Sequence, residues 1–409
     1  MNILLIHATW KKTGGDWTFI QSIKKIYEEH GHNVIPFSTN HEDNLPSAND
    51  ANFIETVDYR SLSKQFSIGD INQVFRGTFY NREAILKLRK TIKDHKIDVA
   101  QLHNIHNIFS LSILKELKKH NIFIAWRALD YKLLCPNRTF LVDSSQSICT
   151  KCIEGSFWNC ASQKCKKDSF FASLVASLEA IYISRKNLLN YVDCFILQNN
   201  FSYKLFVKAG FNKNKLSILK NPYVSNITNN NSSKKTKNQF IFFGRLSSEK
   251  GLLPFLHFLK KIQTCSSFLI IGNGPQENEL KSYVAEQGLE KVFFLGPKWG
   301  QELNQILSES MFSVVPSIWH EPSPYSILQS FENNLPVLGS NLGGIPELVE
   351  DGKTGYIYDP LSFSSFKHKF LKIHSDFKTM QNNCGPYLER EHNPEHYYLS
   401  SIELFKVSS

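Results

Sequence analysis

SIWHEPSPYSILQSFENNLPVLGSNLGGIPELVEDGKTGYIYDP, residues 317–360, is the stretch whose reading decides the fold. An apolar run at 311–315 precedes it and reads as a strand. Then come an acid-bearing loop, an amphipathic segment, a short apolar strand after Pro336, and a Gly-Gly pair that opens another helix. That order predicts a βαβα unit with Glu321 and the Gly343-Gly344 turn at the carboxyl ends of neighbouring strands, where open α/β sheets bind ligands. Backbone N–H groups at a Gly-rich helix start also suit an anion such as a diphosphate. Taken alone, the stretch equally fits an ordinary Rossmann-like core.

Outward from it the same alternation runs along the chain. Residues 3–6 predict a buried first strand, and 7–16 a polar loop ending at Gly14-Gly15. Phe19, Ile20, Ile23, Ile26 and Tyr27 fall at helical spacing, and the helix stops near Gly31. Residues 33–37 are the next strand, which completes a βαβ unit with a Gly-rich first turn but without the third Gly of the GxGxxG fingerprint. Strands are expected over 98–103 and 122–126, separated by a helix over 111–119. Residues 225–239, SNITNNNSSKKTKNQ, cannot pack a core and read as a linker or an exposed loop. A second alternation then starts: strand 240–243, helix 252–262, strand 268–271 with Gly272-Asn273-Gly274-Pro275 after it, and strand 292–295. The tail, 394–405, reads as an amphipathic helix. The fold class expected is α/β, with a first domain at 1–224, a linker at 225–239, a second domain at 240–390 and a final helix within 391–409.

The 409 residues carry a net charge of +10, so anionic partners are expected. Nucleotide diphosphates, anionic lipids, polyprenyl diphosphates and nucleic acid all fit that charge. No stretch approaches the ~20 apolar residues of a spanning helix. The start, MNILLIHATWKK, lacks the basic region and long apolar core of a signal peptide, so a cytoplasmic location is expected.

Gly244-Arg245-Leu246-Ser247-Ser248-Glu249-Lys250-Gly251 follows an expected strand directly. Arg245 and Lys250 lie across a loop and helix start, so both cations can converge on one anion, the Arg as a fork and the Lys as a point charge. Cleaving a sugar–diphosphate bond needs that stabilisation of the leaving group. Solvated surface charges are the alternative, and the Glu321 loop downstream weighs against it.

These elements resemble the retaining GT-B glycosyltransferases of family 4, the glycosyl transferases group 1. The resemblance rests on the Gly-Arg-Leu-x-x-x-Lys-Gly element and on Glu321, Pro336, Val337, Gly343, Gly344 and Glu347. It implies two Rossmann-like domains facing an interdomain cleft, with a UDP- or GDP-sugar held mainly by the second. Arg245 and Lys250 would then neutralise the departing diphosphate and Glu321 would contact the donor sugar. Gly244 and the Gly272-Asn273-Gly274 loop would lie near the nucleotide, and amides at Gly343 and Gly344 would add to the anion site. Gly14 and Gly15 would face the donor phosphate, while His103 and Asp130 would lie on the acceptor side. The final helix would return to the first domain. Two positions depart from the family pattern. Gln329 stands where a second Glu holds the ribose diol, with Glu332 about one helical turn on, and Leu129 replaces a His before Asp130. No Asp-x-Asp motif suits a catalytic divalent ion.

Five of the eight cysteines fall between 135 and 165. Cys149-x-x-Cys152 has the spacing of a zinc chelate. By resemblance to family members with a cysteine-rich insertion, the ligands of a structural zinc would be Cys135, Cys149, Cys152 and Cys165, with Cys160 set aside; reduced thiols are the alternative. Just beyond, Phe170, Phe171, Leu174, Leu178 and Ile181 form an apolar stripe after Lys164, Lys166 and Lys167. Core packing explains the stripe most simply, and an anionic lipid surface would also suit it.

The function expected is retaining transfer of a sugar from a nucleotide diphosphate to a hydroxyl of a glycan or lipid-linked oligosaccharide in surface polysaccharide synthesis. The enzyme would be cytoplasmic or peripheral on the membrane, with no nucleic-acid partner. A non-catalytic nucleotide- or sugar-binding relative and a GT-B nucleotide-sugar isomerase are the alternatives.

Overall fold

The computed structural model describes residues 1–12, 14–56, 77–225, 237–262 and 264–406. Most of the polar stretch 225–239 therefore lies outside the described residues. The chain divides into two compact units, one of Met1–Lys220 with Glu395–Ser409, the other of Asn221–Pro394.

In the first unit, six parallel strands form a sheet: β1 (Asn2–His7), β2 (Asn33–Phe37), β3 (Val99–His103), β4 (Phe123–Arg127), β7 (Cys194–Leu197) and β8 (Leu216–Ile218), in the order β2-β1-β3-β4-β7-β8. Ile3, Leu4, Leu5 and Ile6 of β1 are fully buried, as a parallel strand covered on both faces requires. Helix Gly15–Glu29 covers one face through Phe19, Ile20, Ile23, Ile26 and Tyr27. The last helix, Pro394–Lys406, packs beside it. Tyr397 lies edge-on to Phe19 with ring centroids 6.4 Å apart, and Phe405 lies 6.0 Å from Phe123. Between β4 and β7 the chain inserts a small ribbon, β5 (Leu141–Val142) with β6 (Ser147–Ile148), then helices Trp158–Ser162 and Phe170–Arg185.

The second unit is a parallel sheet of β9 (Gln239–Phe243), β10 (Ser267–Ile271), β11 (Val292–Gly296), β12 (Ser313–Val315), β13 (Val337–Ser340) and β14 (Gly355–Tyr358). Their order, β11-β10-β9-β12-β13-β14, is the doubly wound Rossmann arrangement, with the strand order reversing between β9 and β12. Its core is aromatic. Phe240 stacks on Phe268 and Phe312 at 4.7 and 5.1 Å, and Phe370 meets it edge-on at 5.4 Å. Each fully buried Phe of this kind contributes about 1.5–3 kcal/mol. Phe370 belongs to the 29-residue helix Phe363–Glu391, which buries Phe366, Phe370, Ile373, Phe377, Met380, Cys384 and Tyr387. No helix among the described residues is long and apolar enough to cross a membrane.

Candidate functional site

The reversal of strand order in the second unit brings the loops after β9 and β12 side by side. Gly251, at φ +71°, ends the first loop so close to the second that a Cβ there would lie 2.0 Å from the Pro316 carbonyl oxygen. The Ile318 N–H donates to the Glu249 carbonyl at 3.0 Å. With the backbones clasped, Lys250 Nζ forms an ion pair with Glu321 Oε1. Glu321 is buried, and the Lys250 side chain retains about a quarter of its exposure. Ser317 Oγ donates to the same carboxylate oxygen at 3.1 Å, and the Trp319 ring lies 5.8 Å from the ammonium. Burial brings the His320 imidazole down to about 4, so this neighbour is neutral at pH 7.

Two further loops close on this pair. Gly343 has φ +62°, and a Cβ on it would sit 2.4 Å from the Glu321 carbonyl oxygen and 2.6 Å from its amide nitrogen. Only glycine lets the two backbones approach so closely. The Gly344 N–H donates to the Glu321 carbonyl at 2.7 Å. That amide, expected in an anion site, instead fixes the acid loop. On the other side the Leu246 N–H donates to Asn273 at 2.9 Å, and a Cβ on Gly272 would lie 1.9 Å from the Gly244 oxygen. Gly244, Gly272, Asn273 and Gly274 are thus interlocked with the Arg245 loop, and Arg245 itself is exposed.

Gln329 is half-buried on helix Tyr325–Glu332. Glu332 does not stand in for the missing acid. Its carboxylate accepts from Tyr223 and, at 2.7 Å, from Ser225, and so anchors the segment that opens the unit.

In the first unit, β1, β3 and β4 end in register on His7, His103 and Arg127. All three are buried. His103 lies 5.6 Å from the Phe19 ring, and neither of its ring nitrogens finds a hydrogen-bond partner among the described residues. Burial, with His7 and Arg127 adding repulsion, holds its pKa well below the usual range. Gly14, at φ +119°, caps helix Gly15–Glu29, whose Asp16 accepts from Asn104 at 2.7 Å. Asp130 pairs with Arg138 at 3.3 Å and accepts the Lys132 N–H at 2.8 Å.

The cysteine cluster does not form the expected zinc site. Among the described residues no group of three or more His, Cys, Asp or Glu is placed to hold a metal ion. Cys152, Cys160 and Cys165 instead pack with Val142 as a small apolar core, and Cys149 and Phe157 lie against it. Burial pushes the Cys135 thiol up to about 11 and the Cys152 thiol up to about 12. Cys160, set aside by the family pattern, is central: a hydrogen bond with Cys165 lowers it to about 7.

Sequence reasoning passed over Ser317 and Trp319, which shape the Glu321 environment, and Arg127, which ends β4. Their positions at or just beyond strand ends were the available signal.

Residues 224–390, which hold every loop of the second-unit site, match the family model described as glycosyl transferases group 1. A UDP-Gal:alpha-D-GlcNAc-diphosphoundecaprenol alpha-1,3-galactosyltransferase of Escherichia coli is 31% identical over 159 residues, covering 36% of this chain and 40% of that protein. An uncharacterized 41.2 kDa protein in the cps region of Klebsiella pneumoniae is 24% identical across 87% of this chain and 86% of its own. In three dimensions the chain is similar to Anabaena HepE, solved in complex with UDP and glucose, with a TM-score of 0.67 at 14% identity over the full length of both. That likeness gives the fold, two Rossmann-like domains of the GT-B type. Residues 224–390, about two fifths of the chain, are thus similar to the glycosyl transferases group 1, a family of transferase enzymes.

Proposed function

We propose that this protein is a retaining glycosyltransferase that moves a sugar from a nucleotide diphosphate to a hydroxyl of a lipid-linked glycan in surface polysaccharide synthesis. The observation that carries the reading is the Lys250–Glu321 pair at the point where the strand order reverses. Lys250 and the exposed Arg245 neutralise the diphosphate as it departs, Glu321 orients the sugar, and Gln329 hydrogen-bonds the ribose diol without adding charge. The donor is a UDP-sugar, a choice supported by the galactosyltransferase relative's name and the UDP bound to HepE. The same relative, whose name carries a diphosphoundecaprenol substrate, supports a lipid-linked acceptor and a peripheral place on the membrane. His103 and Asp130 are assigned to the acceptor side, His103 as a neutral group.

A second reading, a non-catalytic nucleotide-binding relative, is favoured by one observation: Gln329 is uncharged and Glu332 is committed to Tyr223 and Ser225. Nucleotide release separates the two. Purified protein is incubated with UDP-galactose, UDP-glucose, UDP-N-acetylglucosamine or GDP-mannose, with and without an N-acetylglucosamine-diphospho-lipid acceptor. Acceptor-dependent release of UDP supports the transferase. Nucleotide binding with no release under any condition supports the non-catalytic relative, and conversion of the sugar without release would indicate an isomerase.

A further inference from the structure

The helix Phe170–Arg185 is mounted with its polar side inward. Its buried residues are Ser173, Ala176, Ser177, Glu179 and Ile183. Glu179 and Lys132 form a buried ion pair at 2.7 Å, each side chain 3% exposed, and Asn107 donates to the same carboxylate at 3.0 Å. Ser177 Oγ donates to the Phe157 carbonyl at 2.9 Å, and Ser173 Oγ accepts the Lys166 N–H at 2.9 Å. These bonds fix the helix's rotation. The apolar stripe, which core packing would have turned inward, therefore faces out: Phe170 is 54%, Phe171 52% and Leu178 42% exposed, with Leu174 and Ile181 half-buried. Trp158, on the short helix packed beside it, is 57% exposed.

Exposed aromatic rings at this density are unusual on a surface that only meets water. Their charged surroundings point to one kind of partner. Between residues 151 and 186 the chain carries Lys151, Lys164, Lys166, Lys167, Arg185 and Lys186 against Glu154, Asp168 and Glu179. Glu179 is already neutralised inside by Lys132. Lys164 and Lys167 are exposed just before the helix begins, and Arg185 lies on the stripe's side at its far end. A protein partner would need a complementary shape for these rings. A bilayer with anionic headgroups needs only that apolar rings enter the interface while the cations stay at headgroup level.

We propose that the face formed by Trp158, Phe170, Phe171 and Leu178, with Lys164 and Lys167 at its edge, docks the first unit onto an anionic lipid bilayer. This gives the peripheral membrane location of the proposed function a named surface, but it does not depend on which sugar is moved, or whether any is.

The test is sedimentation of the full chain with vesicles of phosphatidylglycerol and phosphatidylcholine, or phosphatidylcholine alone, with no nucleotide present. Docking predicts binding to the anionic vesicles only, weakened by high salt. The triple variant Trp158→Ser, Phe170→Ser, Leu178→Ser and the double variant Lys164→Glu, Lys167→Glu should each lower partitioning at least about tenfold. Unchanged circular dichroism and melting point in the double variant, whose residues are exposed, exclude misfolding as the cause. Absence of binding by the wild type, or equal binding by both variants, would overturn the proposal. So would sedimentation velocity showing that the face joins two copies of the chain and is covered in the dimer.

Discussion

Lys250 and Glu321, 71 residues apart in sequence, form an ion pair because two loops clasp backbone to backbone at Gly251 and Pro316. The carboxylate is buried, and the ammonium side chain keeps about a quarter of its exposure. Under the proposed function, a diphosphate arriving there would compete with Glu321 for Lys250, and the released carboxylate would become available to a sugar hydroxyl.

Glu321→Gln keeps the shape of that side chain but removes its charge. Steady-state kinetics with the identified donor should show turnover lowered about 100-fold or more, with the donor's binding constant changed much less, since the lost interaction matters most in the transition state. Equal loss in binding and turnover would mean that Glu321 only shapes the pocket.

Gly343→Ala introduces a Cβ within 2.6 Å of two Glu321 backbone atoms and requires a left-handed backbone of alanine. We expect a loss of about 3 kcal/mol in stability, read as a lower melting temperature.

Gln329→Glu and Glu332→Gln separate the position of the family's second acid from the nearby Glu332. The first should raise affinity for a UDP-sugar several-fold if Gln329 faces the ribose, because a charged acceptor makes the stronger hydrogen bond. The second removes the charge at the Tyr223 and Ser225 anchor, so it should lower the melting point and leave donor affinity unchanged. Calorimetric titration and thermal unfolding of both variants check this.

Much of this was legible beforehand, and the gaps have identifiable causes. Strand β2 over Asn33–Phe37 followed directly from its apolar run. Glu321, Lys250 and Gly343 could be named because each sits beside a strand end or a glycine. What could not be read was their mutual engagement: backbone contacts between loops far apart in sequence, such as Gly344 to Glu321, leave no local pattern. Helix Phe170–Arg185 was recognisable by period, but its rotation was not, because one buried partner, Lys132, outweighs the apolar stripe. The long helix Phe363–Glu391 went unread although its buried residues recur every three or four positions; Gly385-Pro386 reads as a break, yet the helix continues through it. Cysteine spacing suggested a metal, whereas the described residues pack these cysteines among apolar neighbours without a group placed to hold one.

The metal content of the cysteine cluster is directly measurable. Metal analysis of the purified chain should find no stoichiometric zinc, and a strong chelator should leave the melting point unchanged. One zinc per chain, with unfolding on its removal, would restore the metal site.

Stability should fall in acid through buried histidines. Burial holds His106 at about 4 in the folded protein, against about 6.5 when unfolded, and His103 is shifted in the same direction. The unfolded chain therefore binds the extra proton first. Stability is complete above pH 6.5 and declines as pH falls toward 4, by roughly 3 kcal/mol for His106 alone. His106→Leu should flatten that part of the slope in thermal unfolding measured across this range.

The most direct measurement is calorimetric titration of UDP and of uridine into the wild-type chain and Lys250→Ala. If Lys250 and the loops around Glu321 form the diphosphate site, UDP should bind the wild type and bind the variant at least about tenfold more weakly, while uridine binds both alike. Equal affinity of UDP for the two proteins would place the diphosphate elsewhere and contradict the assignment.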